Sequence, residues 1–344
     1  MQATTPWGTE LGQLAHWLQE GHQVALATVV ATWGSSPRAL GSHMVVRGDQ
    51  QFAGSVSGGC IEGEVIRGAL AAIENGQSRL LQFQVANDRA WEMGLSCGGE
   101  IEIRVEAVDR EHPLVRAMAQ PTEAQTLWRL VSLDDDREWL INPDSPSTRT
   151  GIPPALIEPL ERTLAAGTST RLDDNHFLQC YRSPARLFIV GAVHTAQHLA
   201  AMAARCDLAP QVIDPRRGFA REERFPDIPL IQKWPDRLFD EQPLNAGSAL
   251  VTLSHDPKID DPALCAALNS EAFYIGALGS RKTHSERLKR LTERGYGDRL
   301  QRLHAPVGLD LGGRAPAEIA VAILAQLIQA RYRSATGGKR HETA

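Results

Sequence analysis

Apolar residues recur along the chain in two different rhythms, and the change falls near residue 183. In the first stretch, Leu11–Glu20 carries apolar positions at helical spacing and stops at Gly21. QVALATVVAT (23–32) is a near-continuous apolar run with β-branched residues, the pattern of a buried strand. HMVVRGD and QFAGSVS read as two strands around a Gly-Asp turn, a hairpin. From Cys60 onward, Ile61, Val65, Ile66, Ala69, Leu70 and Ile73 repeat at helical spacing until Asn75-Gly76 supplies a stop. EIEIRVEAV (100–108) alternates strictly, with Ile101, Ile103, Val105 and Ala107 on one face. Beyond it, Pro, Asp and Ser cluster, and the short apolar runs TLWRLV, REWLI and HFLQCY predict strands of an appended layer.

From Arg186 short strands alternate with helical segments. RLFIVG, QVID, IPLIQ, ALVTLS and FYIGAL are the strands, and AEIAVAILAQLIQARYR is a long closing helix with Pro316 near its start. Strands alternating with helices predict a parallel sheet covered on both sides. The expected fold class is therefore α/β, an N-terminal α/β domain plus a C-terminal Rossmann-like doubly wound parallel sheet. We place the domains at 1–182, with 110–182 as an appended or linking region, and at 183–335, followed by a polar tail, 336–344.

Composition narrows the function classes. The 344 residues support two domains, and 42% hydrophobic with 22% charged residues is the range of ordinary globular proteins. A net charge of −5 argues against a nucleic-acid or anionic-membrane partner. MQATTPWGTE has neither the basic start nor the apolar run of a signal peptide, and no stretch is long enough to span a bilayer. A cytoplasmic location is expected. Five cysteines are scattered without a CxxC pair, so neither a disulfide framework nor a zinc finger is expected.

Several stretches can carry chemistry. In GSVSGGCIEGEV (54–65), Gly58 and Gly59 allow a sharp turn and a close backbone approach to a ligand. Cys60 follows at a helix start, where the dipole favours thiolate while Glu62 and Glu64 oppose it. A nucleophile, a ligand for a metal-bearing cofactor and a small packing residue all fit this stretch. GLSCGGE (94–100) sets a second cysteine, Cys97, in a glycine-rich turn. GSSPRALG (34–41) offers Ser35, Ser36 and Arg38, which suit an oxyanion, or else form an ordinary surface loop. IVGAVHTAQHL occupies the place of a dinucleotide fingerprint, with Gly191 after a strand and Asp214 about 20 residues on. Its second glycine is replaced by Val193, which crowds the space a pyrophosphate needs. His194 and His198 are four apart, but the HExxH base is absent, and we read them as crevice and surface residues rather than metal ligands. ALGSRKTH (277–284) places Arg281-Lys282 at a helix start, as phosphate binding or simple solvation would.

Taken together, ATVVATWGSSPRALGSHMVV, GSVSGGCIEGEV, GLSCGGEIEI, RLFIVGAVHTA, VIDPR with RFPD, VTLSHDP, FYIGALGSRKTH and PVGLDLGGRAPAEIAVAILA resemble, in order, the xanthine dehydrogenase accessory proteins, the XdhC/CoxI family. The resemblance covers most of the chain except roughly 110–180. It implies a maturation factor, a chaperone more than an enzyme, without turnover of its own. Such a factor binds the molybdenum cofactor (molybdopterin), holds it during sulfuration by a cysteine desulfurase and delivers it to an apo molybdenum hydroxylase of the xanthine dehydrogenase type. It also implies a homodimer. Cys60 matches the family's cofactor-handling cysteine, with molybdenum as a metal that thiolate can ligate, and Cys97 matches a second recurrent cysteine. Ser35, Ser36, Arg38 and Arg281 then suit the pterin's phosphate, and Gly191, His194, Asp214 and His255 fall at strand ends where an α/β sheet binds ligands. Val193 stands where the family usually has glycine. Two other readings compete: an NAD(P)-dependent oxidoreductase using the Rossmann-like half, and a thiol enzyme acting through Cys60, with His43 as the histidine that could approach it.

Overall fold

The apolar run at residues 23–32 is the central strand of a five-stranded antiparallel sheet, covered on both faces. The computed structural model describes residues 9–34, 38–59, 61–84, 99–119, 126–143 and 145–335. The chain forms two units that divide between Ser183 and Pro184. In the first, helix α1 (Thr9–Gln19) leads into strands β1 (Val24–Gly34), β2 (His43–Arg47) and β3 (Phe52–Gly54), then helix α2 (Glu62–Asn75) and strands β4 (Arg79–Gln84) and β5 (Gly99–Val108). Their order is β3-β2-β1-β5-β4, every pair antiparallel.

Alternation along β1 divides its side chains between two cores. Ala25, Ala27 and Val29 pack with Val65, Ala69 and Ala72 of α2. Val24 and Leu26 pack on the opposite face with Leu11, Leu14, Trp17 and Leu18 of α1. Helix α2 ends where the sequence places its stop: Gly76 adopts φ 66° and donates its N–H to the Ala72 carbonyl.

Residues 109–182 build a second antiparallel sheet. Helix α3 (Pro113–Ala119) is followed by β6 (Thr126–Ser132), β7 (Glu138–Ile141), helix α4 (Pro154–Ala166), β8 (Thr170–Asp173) and β9 (His176–Arg182), in the order β7-β6-β9-β8. Strict alternation in β5 predicts one apolar face, and the structure buries the other face as well. Glu102, Arg104 and Glu106 are all buried there. Arg129 of β6 donates two hydrogen bonds to Glu106, at 2.6 and 2.7 Å, and also pairs with Glu138, while Arg104 pairs with Glu106 and Arg171 with Glu102. An ionic layer thus joins the two sheets within this unit.

The second unit is all parallel. Its elements are β10 (Ala185–Val190), α5 (His194–Ala203), β11 (Leu208–Ile213), β12 (Leu230–Ile231), α6 (Pro235–Glu241), β13 (Ser248–Thr252), α7 (Pro257–Leu268), β14 (Tyr274–Ala277), α8 (Arg281–Glu293), β15 (Leu303–His304) and α9 (Pro316–Ala335). The sheet order β12-β11-β10-β13-β14-β15 is the doubly wound Rossmann order. Leu187, Ile189 and Val251 face Ala196, Leu199 and Ile323 on one side. Phe188, Val190 and Leu250 face Leu238, Ile259, Leu264 and Leu291 on the other. Both faces being covered explains the unbroken apolar strands. Among the described residues, no helix is long and apolar enough to cross a membrane.

Candidate functional site

The antiparallel order of the first sheet gathers the predicted site segments at one end. Gly34, which ends β1, pairs directly with Gly99, which opens β5, and Gln84 at the end of β4 pairs with Glu100. His43 opens β2 opposite Thr28, and Gly54 closes β3 opposite Met44. The chain therefore enters and leaves the stretches 35–42, 55–61 and 85–98 from the same sheet end. Ser35, Ser36, Cys60 and Cys97 belong to these stretches and lie outside the described residues.

What surrounds Cys60 in sequence is defined in detail. The Glu62 carboxylate, at the first position of α2, accepts from six donors. They are the Ser55 hydroxyl at 2.8 Å, the Ser57 hydroxyl at 2.6 Å, and the amides of Ser57, Gly58, Gly59 and Ile61 at 2.9–3.2 Å. Gly58 and Gly59 reach φ 87° and 121°, a region closed to most side chains, and this turns their N–H groups inward. Burial alone pushes the Glu62 carboxyl up, but hydrogen bonds from Ser57 and Ser55 outweigh it and hold it down at about 2. Arg38 braces the other side, donating from Nε to the Ser55 carbonyl at 2.9 Å. Two predicted segments, GSSPRALG and GSVSGGC, are thereby joined.

This network changes the reading of the loop. Its amides are turned onto Glu62, so they do not form an open cradle for a ligand phosphate. Glu62 is a positioning residue that fixes the backbone on both sides of Cys60. In the sequence alone it stands only as a charge opposing thiolate formation. The available signal was a carboxylate opening a helix directly after a Ser/Gly turn full of unpaired amides.

His43 joins this loop through its backbone, its carbonyl accepting from the Ser55 amide at 3.1 Å, but its side chain turns away. Met44 and Val46 face α2 while His43 alternates to the far face, stacked on Tyr181 at 5.5 Å and bonded through Nδ1 to the Thr28 hydroxyl at 3.1 Å. Burial, reinforced by Arg129, lowers its pKa to about 4 and keeps it neutral. It is part of the inter-sheet layer.

In the second unit the remaining candidates sit at the carboxyl ends of the parallel strands. Gly191 follows β10 at φ 107°, and a Cβ there would meet the Ser254 amide nitrogen at 2.7 Å. The close approach of the loop after β13 thus accounts for this glycine without a ligand. Asp214, fully buried after β11, accepts from the Ala192 amide at 2.9 Å, from the Arg216 amide at 2.9 Å and from the Arg216 guanidinium at 2.8 and 2.9 Å. Burial opposes its ionisation, but Arg216 and the Ala192 amide hold its carboxyl below the usual range. Both carboxylate oxygens are engaged in bracing the turn. His194 opens α5 on the exposed side, with its Nε2 3.2 Å from that of His198. His255 is exposed at φ 60°, and Arg281 is exposed at the start of α8. Among the described residues, no group of three or more His, Cys, Asp or Glu is arranged to hold a metal ion.

Comparison with known proteins follows this two-unit layout. Residues 17–84 match the model of the XdhC and CoxI family, and residues 187–327 match that of the XdhC Rossmann domain. A Bacillus subtilis (strain 168) protein, named as a probable subunit of xanthine dehydrogenase, is 27% identical over 327 residues, covering 92% of this chain and 96% of its own. The molybdenum cofactor insertion chaperone PaoD of Escherichia coli (strain K12) is 27% identical over 316 residues, covering 91% of this chain and 85% of its own. A crystal structure from Bacillus halodurans, described as a xanthine dehydrogenase, has the same fold. It aligns with a TM-score of 0.76 at 23% identity over 96% of this chain and 97% of that one. The two matched regions account for both the glycine–cysteine loop and the doubly wound sheet, and the chain belongs to the XdhC and CoxI family.

Proposed function

We propose that the protein is a molybdenum cofactor chaperone. It holds the cofactor as cargo while a cysteine desulfurase supplies the sulfido ligand, then delivers it to an apo molybdenum hydroxylase of the xanthine dehydrogenase type. It works as a homodimer and turns over no substrate of its own. The observation that carries this reading is the Glu62-braced loop around Cys60 in a chain related to a molybdenum cofactor insertion chaperone.

The chemistry is consistent with that role. A cargo chaperone needs a ligand that binds and then releases, and thiolate suits molybdenum. Holding the backbone on either side of a cysteine reduces the ordering cost of binding. Arg38, tied to the Ser55 carbonyl, carries positive charge to the same sheet end and suits the anionic pterin side chain. Cys97, Ser35 and Ser36 belong to neighbouring stretches of that end and complete the proposed cargo site, with Gly58 and Gly59 shaping its floor. In the second unit, His194 and His255 lie exposed at the strand ends and are proposed to meet the client enzyme, while Gly191 and buried Asp214 hold the turn after β10 in shape.

Delivery provides the functional test. Wild-type protein, loaded anaerobically with cofactor, is expected to activate an apo xanthine dehydrogenase, and Cys60→Ser to lose at least about tenfold of that transfer. Equal transfer by the variant, or none by the wild type above free cofactor, would contradict the proposal.

A further inference from the structure

Against the turn between β14 and α8 packs a buried cation whose hydrogen bonds are incomplete. Arg287, on the second turn of α8, is only 2% exposed. Its Nη2 donates to the Leu278 carbonyl at 2.8 Å, and its Nε and Nη1 have no partner among the described residues. Leaving guanidinium donors unpaired in a buried site is strongly unfavourable, and such groups commonly mark the place of a missing ion or ligand.

Nearby acids do not complete it. Asp261 is taken by Arg290 at 2.7 and 3.0 Å, and Asp260 accepts from the Ser254 hydroxyl at 2.6 Å while burial pushes its carboxyl up. Other polar groups at this strand end are likewise unfilled. Thr252 closes β13 on the same sheet face as Leu250, its hydroxyl is buried without a partner among the described residues, and its carbonyl accepts from Leu278. His284 Nδ1 is also buried and, among the described residues, unpartnered. The turn itself is drawn tight onto Thr283: Gly279 has φ 150°, and a Cβ on it would lie 3.2 Å from Thr283 Cβ, with Arg287 Nη2 in ordinary contact at 3.6 Å.

The charge pattern of α8 is the second observation. This 13-residue helix has no acid in its first turn and begins with exposed Arg281 and Lys282. Cations at a helix N-terminus oppose the helix dipole, whereas an anion placed there satisfies both the dipole and the cations.

We infer that the β14–α8 turn is a phosphate-binding site, in which Arg287 supplies buried donors from below and the side chains and amides of Arg281 and Lys282 close over the anion, the Thr283 amide being taken by the Ser280 hydroxyl. The site takes a phosphate group, free or carried on a small organic molecule. It stands on residues of the second unit alone and does not depend on the chaperone reading.

Calorimetric titration at fixed ionic strength, with inorganic phosphate and with methyl phosphate, tests it. Saturable binding is expected for the wild type, weakened at least about tenfold in the surface double variant Arg281→Ala/Lys282→Ala and in Arg287→Lys, which keeps the charge but loses the fork. Because the surface double variant leaves the buried layer untouched, its result stands even if Arg287→Lys folds poorly. Tighter methyl phosphate binding assigns the site to a carried phosphate, and tighter inorganic phosphate binding to the free ion. No saturable binding of either probe, or affinity unchanged in both variants, overturns the inference.

Discussion

Replacing Glu62 by glutamine is expected to abolish most cofactor binding while leaving the protein folded. The carboxylate accepts from two hydroxyls and four backbone amides of Ser55–Ile61, and glutamine offers one carbonyl oxygen and a donor where acceptors are needed. The amides left unpaired are partly buried, so a loss of about 2–4 kcal/mol of stability is expected. The sheet and α2 retain their apolar cores, so the loss is concentrated in the loop. Hydrogen exchange should show it as faster exchange at Ser57, Gly58, Gly59 and Ile61, with the centre of α2 unchanged.

Acidification should act on the same contacts. Glu62 titrates at about 2 in the folded chain, against an ordinary value of 4.5. A lowered folded pKa stabilises fully above the unfolded value and is lost as pH falls through the folded one. The stability gap between wild type and Glu62→Gln should therefore be constant above pH 4.5 and shrink as pH falls toward 2. A gap that is already absent at neutral pH would remove Glu62 from its bracing role.

The largest effect on stability is expected at the ionic layer of the first unit. Arg129→Ala leaves Glu106 buried without its bidentate partner, beside Arg104 and His112. Breaking one side of such a pair destabilises by about 3–5 kcal/mol, because the remaining charge is desolvated. Burial pushes the Glu106 carboxyl up, and Arg129 and Arg104 together hold it well below the carboxylate range. Without Arg129 that balance weakens. The double variant Arg129→Met/Glu106→Leu removes both charges and should recover at least half of the loss in denaturant unfolding. A single variant within about 1 kcal/mol of wild type would contradict the assignment.

The fold was legible wherever side-chain period and burial agree. The runs at 23–32 and 186–190 announce strands covered on both faces, Gly76 ends α2, and strand–helix alternation after Arg186 implies the parallel sheet. The polar face of β5 misleads for a physical reason. Glu102, Arg104 and Glu106 look solvated in a single strand, and only a second sheet brought from residues 126–182 supplies the counter-charges that allow their burial. The same limit applies to the site. Motif spacing picks out the loops, but the tie from Arg38 to the Ser55 carbonyl is a tertiary bond across 17 residues. Gly191 shows the converse, a fingerprint glycine whose place is accounted for by the neighbouring Ser254 backbone.

The proposed receipt of molybdenum cofactor by the loop around Cys60 is tested most directly by an anaerobic binding titration. Wild type, Cys60→Ser and Cys97→Ser are titrated side by side with isolated cofactor. Saturable binding that weakens at least about tenfold in Cys60→Ser is the predicted result. Absence of saturable binding by the wild type, or equal affinity in the wild type and Cys60→Ser, would contradict it.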